Sequence, residues 1–210
     1  MMVGTMRNEA PNVIWYGDFL ATERTVETGV IFKKDETIGY TYSLAMALGL
    51  ARGQTAGMTG IWIGDDKIWD YVADNAGAPS LLADVTLPDL FGGQDEGGGF
   101  EGRIRCFPGT GTQGVSAYLD DPTRIDPVSA FRGFVYAVVT SIDEQSGATI
   151  GESNIMREMR IELQMYDTVA NGGLGDSLSL GNDTHIIGRG INPVVLAWDT
   201  WVNTDWGEGL

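Results

Sequence analysis

Residues 40–50, YTYSLAMALGL, alternate with a period of two. Tyr40, Tyr42, Leu44, Met46, Leu48 and Leu50 fall on one face, and Thr41, Ser43, Ala45, Ala47 and Gly49 on the other. Wound as a helix, the same stretch would scatter its large side chains around the axis, so a strand is expected despite the helix-favouring Ala, Leu and Met. The small face invites the close approach of another layer.

Four further segments carry the same signal. GIWIGDDKIWD (60–70) reads as a hairpin in which IWI and KIW flank a GDD turn. EGRIRCF (101–107) alternates, with Ile104 and Cys106 on one side and Arg103 and Arg105 on the other. RGFVYAVVTSI (132–142) is β-branched and aromatic enough for a central strand. REMRIELQMYD (157–167) puts Met159, Ile161, Leu163 and Met165 opposite Arg160, Glu162 and Gln164, as in a half-exposed strand. One helix is expected, over 192–205: Asn192 suits the N-cap and Pro193 the first turn. Val194, Val195, Trp198, Trp201 and Val202 then share a face, and Gly207 follows as a stop. Residues 21–39 are polar and read as a long exposed hairpin loop that orders on assembly. Residues 167–191 are glycine-rich and read as a crossing between elements.

The chain holds 30 glycines in 210 residues, about twice the ordinary ~7% share, with no collagen-like period. Many turns between short apolar runs favour a mainly β chain, a β-rich α+β fold of antiparallel strands plus one C-terminal helix. With 43% hydrophobic residues the chain can bury a sizeable core. It is expected to form either one interwoven unit over 1–210, or two small β domains (1–90 and 91–190) followed by the helix 192–205.

Charge narrows the partners. A formal net charge of −16 and an isoelectric point near 4.2 oppose nucleic-acid binding, which depends on Lys and Arg displacing phosphate counterions. The same acidity suits a surface that DNA slides past, and equally a merely soluble one. No apolar run reaches the ~18 residues of a membrane-spanning helix, so stable membrane insertion is not expected. The first residues, MMVGTMRNEAPNVIWYGD, lack the basic-then-apolar pattern of a secretory signal. One cysteine rules out an internal disulfide framework and a multi-cysteine metal site.

The motifs that resemble chemistry fail in context. LFGGQDEGGGFEGRIRCFPG (90–109) could cradle a phosphate, but Asp95 and Glu96 lie inside it and a strand, not a helix, follows. The two adjacent carboxylates also lack the spacing of a calcium loop, so the segment reads as a turn. GTGTQG (109–114) matches G-x-G-x-x-G, yet only VSAYL separates it from DDP, too little for a dinucleotide-binding helix. His185, the sole histidine, reads as structural, and Cys106 as a core residue. The NDT sequon at 182–184 has meaning only in a secreted eukaryotic chain. Asp65–Asp66 and Asp120–Asp121 carry no specific signal in so acidic a chain. No catalytic, cofactor-binding or metal-ligating residue is assigned, and no cofactor is expected. The six tryptophans read as core or interface anchors.

The order of segments resembles a known family. NVIWYGDF (12–19), a polar loop, then YTYSLAMALGLARGQTAGMTGIWIGDDKIWD (40–70) resemble the N-terminal hub region of phage tail-tip or baseplate hub proteins. These are the tip attachment proteins of long-tailed phages and the related tail hub protein of gene-transfer agents. LFGGQDEGGGFEGRIRCFPG resembles their glycine-rich hairpin, AFRGFVYAVV (130–139) their YRG strand with Phe131 in place of Tyr, and INPVVLAWDTWVNTDWGEGL (191–210) their terminal helix. Family members continue for hundreds of residues beyond the position of Leu210, so the chain reads as a short or split hub protein or a piece of a longer one. The resemblance implies a homotrimer of antiparallel, barrel-like tail-tube or hub domains at the distal end of the tail. Such a ring joins a six-fold tube to a three-fold tip, contacts tail-tube, distal-tail and tip or fibre proteins, and lets DNA pass through its lumen without specific binding.

Three function classes follow. A virion structural subunit needs strands, anchors and no reactive centre. A receptor- or glycan-binding module needs at least two tryptophans on one open surface. A cell-wall hydrolase needs carboxylates paired across a cleft or a metal site, and one histidine with one cysteine disfavours the latter.

Overall fold

The computed structural model describes residues 4–28, 34–71, 80–92, 98–152, 156–165, 186–187 and 190–191. The expected helix 192–205, Asp95 and Glu96, His185, the 182–184 sequon and the tryptophans at 198, 201 and 206 lie outside them, as does most of 167–191.

The regular structure of the described residues is almost all β, and its strand pairs are antiparallel. One sheet runs β1–β10–β4–β5, from Gly4–Asn8, Met159–Met165, Thr55–Ile63 and Asp66–Asp70. The other runs β2–β3–β8–β7–β6, from Asn12–Thr28, Lys34–Arg52, Phe134–Thr140, Phe100–Phe107 and Leu82–Leu87. The short β9 (Ala148–Thr149) pairs with both β3 and β7, and β11 (Ile186–Ile187) pairs with β12 (Gly190–Ile191). Both larger sheets interleave early and late segments of the chain.

The expected strands are in place. The 60–70 hairpin forms, with β4 reaching back to Thr55 and Gly64 in the left-handed region at the turn. β8 is central, as its β-branched run requires. β7 buries Phe100, Ile104 and Cys106 and turns Arg103 and Arg105 outward. In β10, Met159, Ile161 and Leu163 are buried while Arg160 and Glu162 are not. The glycine-rich segment before β7 joins it to β6 as an antiparallel hairpin. β6 itself, LADVTL, carries too short a pattern to have been expected.

Between the sheets lies one core, drawn from Met46 and Leu48 of β3, Met58 and Ile61 of β4, Ile104 of β7, Val135 and Val139 of β8, and Ile161 and Leu163 of β10. Burying each such side chain contributes about 1.5–3 kcal/mol. The sheets are stitched along one side. Met58 and Ser80 exchange two backbone hydrogen bonds of 2.7 and 3.2 Å, and Cys106 N–H donates to Leu81 O at 2.8 Å. That closure makes the sandwich barrel-like. Gly102 allows β9 to cross close by: a Cβ there would stand 2.6 Å from Ala148 Cβ and 2.8 Å from Thr140 O.

The small face of β3 is covered too, although by irregular chain rather than by a third sheet. Ala45 and Ala47 pack with Tyr118, Leu119, Tyr136 and Val138 in a second apolar cluster. Residues 113–131 form this strap. Buried Gln113 staples it by accepting from Gly109 N–H at 2.7 Å and donating to Ala130 O at 2.8 Å. The G-x-G-x-x-G match is therefore a loop whose glutamine ties two backbone segments together.

Candidate assembly interface

β2 and β3 outlast the body that supports them. β8 pairs with β3 only from Met46 to Arg52, and β9 reaches only Ser43 and Leu44. Beyond that point residues 21–28 and 34–42 are ladder partners only of one another among the described strands, from Ala21↔Tyr42 out to Thr28↔Lys34, with Tyr42 at the base also bonded to Ile150 and Gly151. The stretch expected to be a loop is thus a two-stranded arm. Its β-branched Thr22, Thr25, Val26 and Thr37 suit a strand, and its polar composition reflects two wet faces.

The arm and its root hold eight of the twelve large apolar side chains that are exposed among the described residues. In register, Val13 faces Leu48 and Tyr16 faces Met46, and paired residues share a sheet face. Leu48 and Met46 are in the core at 4% and 6% exposure, whereas Val13 and Tyr16 are 60% and 72% exposed. The apolar surface that makes the core therefore continues past β3, where no described residue covers it. Phe19, stacked on Tyr42 at 5.7 Å, extends it outward. Beside this surface runs the outer edge of β2, which bonds to no described strand. Natural proteins seldom leave a long apolar edge unpaired, because it templates association.

At the root, β2 is irregular twice, between Val13 and Trp15 and between Gly17 and Leu20. Asp18 lies in the second irregularity with φ 50°, a region non-glycine residues rarely occupy. Its Oδ2 accepts from the Tyr118 hydroxyl and from Arg124 Nε at 2.8 Å. The Arg124 guanidinium also donates to Tyr118 O at 2.9 Å and lies 3.9 Å above the Tyr118 ring. Burial, reinforced by Asp18, raises the Tyr118 pKa well above the usual phenol range. Burial pulls Arg124 downward, but the bond and charge of Asp18, with Tyr118 and Asp121, leave it raised. Trp15 meets the Tyr118 ring edge-on at 6.3 Å, and its indole lies across Gly17, where a Cβ would collide with it. Farther out, Arg24 pairs with Glu152 and Tyr42 N–H donates to Gly151 O at 2.8 Å.

The other candidates sort plainly. Cys106 is buried beside Ile104, and burial pushes its thiol up to about 12. Asp65 and Asp66 occupy a hairpin turn and its edge, and Asp121 is bonded by Thr123. Among the described residues, no three His, Cys, Asp or Glu side chains converge as a metal site. Asp84 is forked by Arg103 at 2.6 and 2.7 Å, and Glu144 takes Arg105 at 2.5 Å. A cavity of about 290 Å3 under the strap, lined by Phe107, Ser116, Tyr118 and Val138, has that Arg105–Glu144 pair at its wall. The three described tryptophans occupy three separate surfaces. Trp15 lies under the strap side, and Trp69 packs against the main core. Trp62 lies between Arg7 at 5.1 Å and Lys67 at 4.8 Å. The sequence missed the Asp18–Tyr118–Arg124 cluster, because residues about a hundred positions apart leave no local pattern.

No family model matches the chain, and no curated protein does. Among solved structures it is similar to a chain of the virion of a native gene transfer agent particle, with 16% identity and a TM-score of 0.43 over 96% of the present chain. The chain spans about a third (35%) of that protein's length. A likeness so slight carries no argument about role.

Proposed function

We propose that this chain is a structural subunit of a phage-like tail, placed at its distal end, where copies assemble into a ring that joins the six-fold tube to the three-fold tip. The observation that carries the reading is the arm: a continuation of the core that no described residue covers, beside a strand edge that no described strand pairs. In water a two-stranded ribbon is marginal by itself. Docked against a neighbouring subunit, its edge gains backbone bonds and its apolar row loses water. The ordered segments that resemble tail-tip hub proteins support the same reading and give its three-fold ring.

The role is mechanical and needs no reacting group. Acidity fits the passage of DNA. Seven of the ten cations with described side chains are already held in ion pairs, so little positive charge is free to grip phosphate. Antibody raised against the chain should label the distal tail end of purified particles in electron micrographs. Label on the capsid, or none on the particle, overturns the proposal.

A further inference from the structure

We infer that Asp18 is the catch that sets the direction of the arm, and that releasing it lets the arm swing while the sandwich stays folded. The assembly consequence rests on the function proposed above; the mechanical claim does not.

Three observations converge on this residue. First, beyond Tyr42 no described strand outside the hairpin pairs with the arm, and Arg24–Glu152 is a side-chain contact, so the backbone direction of the arm is set at its root. Second, the root is where the ladder is least regular: β2 carries an extra residue on either side of Trp15–Gly17, and such bulges bend a strand and change its twist. A ribbon interrupted twice within a few residues can take more than one direction. Third, the second irregularity places Asp18 in the left-handed region and aims its carboxylate at the strap. There the Tyr118 hydroxyl and the Arg124 guanidinium converge on a single oxygen, Oδ2.

The receiving side is rigid. Tyr118 is 7% exposed and belongs to the strap cluster with Leu119 and Tyr136. Arg124 is held flat on the Tyr118 ring, by the Tyr118 carbonyl at 2.9 Å and by Asp121 at 3.5 Å. Charge-assisted bonds to a pre-positioned guanidinium are among the stronger side-chain contacts available. They hold a backbone conformation that Asp18 would not otherwise favour, so release relaxes the backbone as it frees the arm. With the carboxylate released, the twice-bulged root is free to take a second direction. The Arg24–Glu152 pair lies farther along the ribbon and limits the swing rather than setting its origin.

Pulsed electron spin resonance reads the direction of the arm. Nitroxides at Val26→Cys on the exposed arm and Gly111→Cys on the body, where a side chain meets open space, report one arm-to-body distance. Cys106 is buried and does not compete for label. The parent should give a single narrow distribution. Asp18→Asn keeps the shape and tolerates positive φ but loses the charge; it should broaden and shift the distribution with little change in thermal midpoint. Tyr118→Phe removes one bond from a folded strap and should broaden it less. Arg124→Gln combined with Asp18→Asn should do no more than the larger single change, because both act through one contact. An unchanged narrow distribution in both Asp18→Asn and Tyr118→Phe overturns the inference. If the arm loosens and oligomers form with undiminished yield, the catch stands and the assembly role of the arm fails.

Discussion

Between Met46 and Leu50, β3 is buried on both faces or nearly so; between Glu36 and Tyr40 the same strand is exposed along almost its whole length. β2 pairs with it through both parts, with one register shift in each. What differs is the company. The inner part has β4 and β10 on one side and the strap on the other, whereas the outer part pairs, among the described strands, only with its hairpin partner. The contrast teaches that hydrogen bonding lays down the strand, while side-chain burial decides which part is body and which part is left for another surface.

The sharpest way to break that contrast is to cut apolar side chains from each of the two regions. Ile161→Ala, at a fully buried position, should cost about 2–5 kcal/mol in urea denaturation. Tyr16→Ser and Phe19→Ser should each change the stability of the isolated chain by within about 0.5 kcal/mol. They should nevertheless abolish oligomers in sedimentation. If the arm changes destabilise the monomer as the core change does, the division is wrong. Gly102→Ala tests whether the body is as tightly filled as its geometry implies. The new methyl would meet Ala148 and the Thr140 carbonyl, and a loss of about 1–3 kcal/mol is expected in the same assay.

Cys106 gives a chemical version of the test. Its folded thiol titrates near 12 against an ordinary value of 9.0, so the neutral form is favoured in the folded state. Its contribution is full below the ordinary thiol range and is lost as pH rises from there towards 12. Iodoacetamide at pH 8 should leave Cys106 unmodified until the body unfolds, while a cysteine introduced at Val26 should react at once. Equal rates at the two positions would show the body to be open. The smallest effect belongs to the surface. Arg103, through its hydrogen bond to Asp84, holds that carboxyl below its ordinary 3.8. The stabilisation is complete above the carboxylate range and disappears as pH falls through and below it. Asp84→Asn should flatten that acid limb by on the order of 0.5 kcal/mol, measured as thermal midpoint against pH.

Much of the sandwich was legible. The alternation in 40–50, 101–107 and 157–167 put Met46, Ile104 and Ile161 on core faces, where they lie. The β-branched run at 132–142 announced the central strand. The arm was half legible: its exposure and its hairpin form could be read, its strands could not. Alternation is visible only when one face is dry, and residues 21–39 have water on both. The strap was not legible at all. VSAYLDDPTRI has neither period, and Tyr118 and Leu119 are buried because β3 offers them alanines.

Composition set the acidic, turn-rich character of this protein, and periodicity its strands, because side-chain direction along an extended backbone is fixed by covalent geometry from one residue to the next. Which face would be covered, and by what, was decided only in three dimensions. Val13 and Leu48 are both apolar and register partners, and nothing local tells the exposed one from the buried one. Their difference arises from where a second sheet happens to end, and that depends on contacts between residues far apart in the chain.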